Sequence, residues 1–162
     1  DLAMYQEARE RLEAAGLCQY EISNFARPGR ESRHNLTYWR NEPYLGLGPA
    51  AASYLNGERR TNVPTVRAYY AAYRAGRAPV AEREEATPEL AQAETVILGL
   101  RLRTGLSWER FRQRFGVDLY TRYADPLARL SAAGLIVADE QGLRLTSRAL
   151  PVANQVFLEF LP

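Results

Sequence analysis

Glycine divides this chain into short pieces of defined periodicity. Gly16, Gly76, Gly116 and Gly134 each follow a segment whose apolar residues recur at helical spacing, and Asn56-Gly57 separates two extended runs. A glycine just past a helix supplies the left-handed residue that ends it, and Asn-Gly between extended runs is a hairpin turn. The pattern is that of a mixed α/β chain built from short elements.

Between the glycines, the periodicity names the elements. Leu2, Tyr5, Ala8, Leu12 and Ala15 predict a helix over residues 1–15, and the alternation of Leu17–Asn24 predicts a strand. Residues 25–43, with Pro28-Gly29, read as a loop holding a helical turn around Leu36–Trp39 that Asn35 could cap. Residues 50–55 and 58–62 form the hairpin, and a Tyr-rich helix (Tyr69, Tyr70, Tyr73) spans 65–75. Residues 77–86 read as a linker. Thr87-Pro88-Glu89 starts a helix that runs to about Arg103, Ser107 caps a second over Trp108–Phe115, and Asp125-Pro126 starts a third. Leu135–Ala138 and Gly142–Thr146 read as a two-stranded wing, and Pro151–Leu161 as a closing helix. Three helices, a wing and a final helix resemble a winged helix.

Composition removes several functions. The 162 residues contain one cysteine and one histidine, so no internal disulfide, Cys-only metal site or His-rich zinc site is available. All 21 cationic side chains are arginine, which removes Schiff-base chemistry and the P-loop lysine. No apolar run has the length of a membrane helix, and the charged N-terminal segment is not a secretory signal. From Ala86 onward nine arginines face eight acids, a poor balance for tracking phosphates. Arg110, Arg112 and Arg114 form the one basic cluster there. Gly46-Leu47-Gly48 lacks the third glycine of a dinucleotide fingerprint and reads as a tight strand end.

The densest chemistry lies in Tyr20–Trp39, YEISNFARPGRESRHNLTYW. It gathers the one histidine, both tyrosine and tryptophan, two amides and three arginines. A single imidazole is compatible with a hydrogen-bonded loop side chain or with a one-point axial contact to haem iron. Asn35 is equally compatible with a helix cap, and Trp39 with a core anchor. Arg27, Arg30 and Arg33 suit either solvent or charge-assisted bonds to carboxylates such as haem propionates.

His34-Asn35-Leu36-Thr37-Tyr38-Trp39 has the form HNxxYW. It follows Tyr20–Gly29 (YEISNFARPG) and precedes Tyr44-Leu45-Gly46-Leu47-Gly48. This order resembles the HemW haem-chaperone branch of the oxygen-independent coproporphyrinogen III oxidase-like radical SAM family. The likeness extends through Arg59, Arg60 and Asn62, Gly134-Leu135-Ile136, and Asn154, Val156 and Phe157. It implies an α/β (α+β) fragment: C-terminal elements of a radical SAM partial TIM barrel over 1–76 with the HNxxYW loop, the linker 77–86, and a mostly helical, winged-helix-like domain over 87–162.

The resemblance further implies a protein that binds haem and delivers it to haem-requiring proteins. His34 would be the haem-iron ligand, with Asn35, Tyr38 and Trp39 around it. Ala26, in Asn24-Phe25-Ala26, matches the alanine beside a bound S-adenosylmethionine in the related oxidase, where a histidine stands at the position of Asn24. The family's 4Fe-4S cluster and S-adenosylmethionine belong to an N-terminal barrel whose CxxxCxxC motif this sequence lacks, so the chain is expected to be a C-terminal piece that is not catalytic alone. The implied partners are haem, haem-accepting proteins and that barrel. A cytoplasmic location follows, with membrane association only through partners and no nucleic acid. The alternatives are a coproporphyrinogen III oxidase, which decarboxylates propionates by a SAM-derived radical, and a winged-helix adaptor for nucleic acid or protein.

Overall fold

The computed structural model describes residues 2–162. In chain order it contains α1 (Leu2–Ala14), β1 (Cys18–Gln19), β2 (Phe25–Ala26), α2 (Arg33–Trp39), β3 (Ala52–Leu55), β4 (Glu58–Asn62), α3 (Val66–Arg74), β5 (Val80–Glu85), α4 (Pro88–Leu100), α5 (Trp108–Phe115), α6 (Leu119–Arg122), α7 (Ala124–Ala132), β6 (Ile136–Asp139), β7 (Gly142–Leu145) and α8 (Ala153–Leu158), with a 3₁₀ turn at Leu150–Val152. The α/β class expected from the sequence is the class observed. No described helix is long and apolar enough to cross a membrane.

The chain forms two compact units. One takes residues up to Asn41 and then Gln92–Pro162; the other takes Glu42–Ala91. The first unit is organised by one apolar core. Val96 and Leu100 of α4, Phe111 of α5, Leu127 of α7, Leu143 of β7 and Val156 of α8 are all buried in it. Burial of side chains this size is worth about 1.5–3 kcal/mol each, which is what folds helices as short as these. The wing β6–β7 pairs antiparallel from Ile136↔Leu145 to Asp139↔Gly142. It is tied to the segment between α4 and α5 by paired backbone bonds between Leu106 and Leu143, at 2.8 and 2.9 Å.

The second unit is a three-stranded antiparallel sheet in the order β3-β4-β5, with α3 following β4. Asn56 (φ 53°) and Gly57 (φ 81°) make the turn between β3 and β4, as the dipeptide predicts. Gly46 and Gly48 lie in a tight loop that follows the isolated bridge Tyr44↔Tyr54, where the sequence suggests a strand end. A Cβ on Gly46 would meet the Ala52 carbonyl at 2.1 Å, and the two amides are taken by Ser53 Oγ (3.0 Å) and Tyr69 Oη (3.2 Å).

Several local expectations are corrected. The segment 77–86, read as a linker, contains a strand: Val80–Glu85 pairs with β4, where Glu82 and Glu84 stand across from Thr61 and Arg59 on a solvated sheet that tolerates charge. The strand over Leu17–Asn24 is reduced to two residues, which pair with Phe25–Ala26 in a small hairpin. The third helix begins at Ala124, preceded by the separate turn α6 that Asp118 caps. The closing helix is broken into a 3₁₀ turn, Leu150–Val152, and α8.

Candidate functional site

The HNxxYW segment is helix α2. Its cap is Ser32, whose Oγ accepts from Asn35 N at 3.3 Å. Asn35 is therefore not the cap; it lies one turn too late, and its side chain donates to Tyr20 Oη at 3.2 Å. Helical spacing sorts the four motif residues into two stripes. His34 and Tyr38 share one stripe, with their rings edge-to-face at 4.8 Å and 88°. Asn35 and Trp39 share the other. His34 is exposed, while Asn35, Tyr38 and Trp39 are half-buried.

The second stripe is anchored from below. The Arg101 guanidinium lies 4.2 Å from the centre of the Trp39 ring. Arg101 also faces Glu21, with Nη2 3.8 Å from Oε2. Glu21 is fully buried; its Oε1 accepts from Ser23 N at 3.0 Å and from the Asn24 side-chain amide. A short antiparallel pairing fixes these residues together: Ile22 N donates to Arg101 O (3.1 Å) and Arg103 N to Tyr20 O (3.0 Å), with Glu21 opposite Leu102. The alternation of Leu17–Asn24 assigns Glu21 to a solvent face, and nothing in the sequence singles out Arg101. Burial of a carboxylate needs a cation or strong donors, and only the fold brings them.

The far end of α2 is held by the basic cluster of α5. Arg110 Nη2 donates to Arg40 O at 3.4 Å and Arg114 Nη1 to Asn41 O at 2.6 Å, while Arg112 pairs with Asp118 at 3.1 Å. A cavity of about 250 Å³ opens beside Trp39, lined also by Thr95, Thr104, Ser107 and Arg110. Arg27, Arg30 and Arg33 are exposed on the loop that leads into and begins α2.

Ala26 sits in β2, half-buried, across from the exposed Cys18. Among the described residues no group of three or more His, Cys, Asp and Glu is placed to hold a metal ion. With one cysteine in the chain, the residues present do not fit a 4Fe-4S cluster, which needs several thiolates.

Residues 86–152 match the HemN C-terminal domain. That segment is a HemN C-terminal domain. It is 40% identical over 158 residues to the "Heme chaperone HemW" of Bacillus subtilis, covering 98% of this chain and 42% of that protein. It is 36% identical over 161 residues to the protein of the same description from Lactococcus lactis, covering 98% and 41%. The bovine "Radical S-adenosyl methionine domain-containing protein 1, mitochondrial" is 31% identical over 176 residues, with 98% and 38% covered. Among solved structures, the coproporphyrinogen III oxidase HemN of Escherichia coli superposes with a TM-score of 0.73 at 20% identity, over 98% of this chain and 40% of that one. At that identity the likeness establishes the fold shared with HemN. The chain thus spans about two fifths of the length of these HemW relatives.

Proposed function

We propose that this chain supplies the haem-receiving helix of a HemW-type haem chaperone, with His34 as the axial ligand to the iron of the cargo. The observation that carries this is the division of α2 into two stripes. Asn35 and Trp39 are bound to the body of the domain, and His34 is left exposed with Tyr38 edge-on beside it. An imidazole presented this way offers one coordinate bond and no enclosing wall. That arrangement suits a carrier, which must release what it binds. Arg27, Arg30 and Arg33 supply exposed cations for propionates. Haem-accepting proteins are the partners this reading requires.

In the same reading, residues 1–76 complete a radical SAM partial barrel, 77–86 connect, and 87–162 form the C-terminal domain. Cluster and S-adenosylmethionine chemistry belong to the part of the family architecture that carries the cysteines, with Ala26 beside the S-adenosylmethionine. The names of the curated relatives support a chaperone over an oxidase. So does Asn24, which stands where the oxidase has histidine and whose amide is occupied by Glu21.

The test is a haem titration followed by the Soret band, with His34→Ala beside the parent chain. A saturating shift that His34→Ala abolishes supports the reading. An equal shift in both removes His34 from the site, and no shift in either places the ligand set outside this chain.

A further inference from the structure

We propose that Arg101 is a positioning residue for haem reception: its guanidinium, which faces the buried Glu21 carboxylate, clamps the Trp39 ring and thereby fixes how α2 presents His34. This inference rests on the haem-receiving role of α2 proposed above.

Three polar atoms in this small cluster are buried and lack a hydrogen-bond partner: Glu21 Oε2, Arg101 Nε and Trp39 Nε1. Buried polar atoms of this kind are uncommon, and a half-satisfied network costs stability rather than adding to it. A core built for stability alone would place apolar side chains here. What the arrangement provides is geometry. Arg101 follows α4 directly and its carbonyl is pinned by Ile22 N, so the base of its side chain is fixed by a short ladder. Its planar guanidinium then lies against one aromatic ring, 4.2 Å from the ring centre, and faces one carboxylate. Glu21 Oε1 in turn holds the turn at Ser23 and Asn24 through its two accepted bonds.

Trp39 is the last residue of α2, and His34 is in its first turn. The helix is only seven residues long and has no fully buried side chain. Such a helix has little intrinsic stability. Its roll about its own axis is set by Asn35 on Tyr20 and by Trp39 under Arg101. A change in the plane of Trp39 therefore rotates the stripe that carries His34 and Tyr38.

Lysine cannot replace arginine here. It keeps the charge beside Glu21 but has no plane to lay on an indole. Arg101→Lys therefore tests the clamp without leaving the buried carboxylate uncompensated. The chain has two tryptophans, so Trp108→Phe makes Trp39 the single indole reporter. In that background, Arg101→Lys is expected to shift the Trp39 emission in the absence of haem. It is also expected to weaken the midpoint of the haem Soret titration by about tenfold. Glu21→Gln/Arg101→Gln, which removes both charges together, is expected to do the same if Arg101→Lys folds poorly.

An emission shift together with a weakened Soret midpoint supports the proposal. A Soret midpoint that Arg101→Lys leaves unchanged, in a protein whose Soret shift His34→Ala abolishes, overturns this proposal alone. A Soret shift that survives His34→Ala overturns the haem-receiving role of His34 and this inference with it.

Discussion

Asn41 and Thr95 meet side chain to side chain across 54 residues of sequence: Asn41 Nδ2 donates to Thr95 Oγ1 at 3.0 Å in a buried setting. Asn41 also adopts a left-handed backbone (φ 50°), and its carbonyl accepts from Arg114. One residue thus turns the chain after α2 and fastens it to both α4 and α5. Two substitutions separate these roles. Asn41→Gly keeps the backbone and loses the side-chain bond, and should cost about 1 kcal/mol. Asn41→Ala adds the left-handed penalty and should cost about 1–2 kcal/mol more. Urea unfolding midpoints of the two variants measure the difference.

Gly105 lies where the chain crosses the wing. A Cβ there would stand 2.1 Å from the Leu143 carbonyl oxygen, and the backbone is left-handed at φ 73°. Gly105→Ala should therefore cost about 3 kcal/mol or more, since backbone rather than a flexible side chain must give way. Gly116 is the control. It has a similar φ of 66° but nothing within 4 Å of its Cβ position. Gly116→Ala should cost only about 1 kcal/mol. Equal thermal shifts for the two would contradict the close approach.

Acid should weaken the first unit through Asp118 and Asp139. The Thr121 amide, followed by Arg112, holds the Asp118 carboxyl below its ordinary range; Arg144, then the Gln141 amide, does so for Asp139. The unfolded chain therefore binds these protons at a higher pH than the folded one. The stabilisation is complete above the ordinary carboxylate value of about 4 and is lost as pH falls through the lowered values. Asp118→Asn keeps a helix cap and removes one titration. Its melting temperature should fall less steeply than that of the parent between about pH 4 and pH 2.

Phe111 is fully buried in α5, and Tyr70 of α3 is 61% exposed. Phe111→Ala should cost about 3–5 kcal/mol and Tyr70→Ala within about 0.5 kcal/mol. Chemical denaturation, followed by circular dichroism, would show the contrast. A large effect at Tyr70 would mean that this face is packed in solution.

The sequence by itself determined the punctuation of the fold. Gly16, Gly57, Gly76, Gly116 and Gly134 all have positive φ, and Ser107 caps α5 as its position predicts. These outcomes depend on one residue and its neighbours along the chain, so local backbone chemistry suffices. The HNxxYW motif was legible as a motif, but its helix was expected only from Leu36, so the two stripes appear once the helix is seen to start at Arg33. Tertiary structure alone decided which stripe faces in. Tyr20 and Arg101 hold Asn35 and Trp39 from positions far away in sequence. It also decided that Glu21 is buried, and that 77–86 contains a strand and not only a connection. A charged side chain reads as solvated until a distant guanidinium is placed beside it, and an edge strand rich in glutamate reads as a linker until a neighbouring strand supplies its hydrogen bonds. Those partners are set by long-range pairing, which no window of local sequence contains.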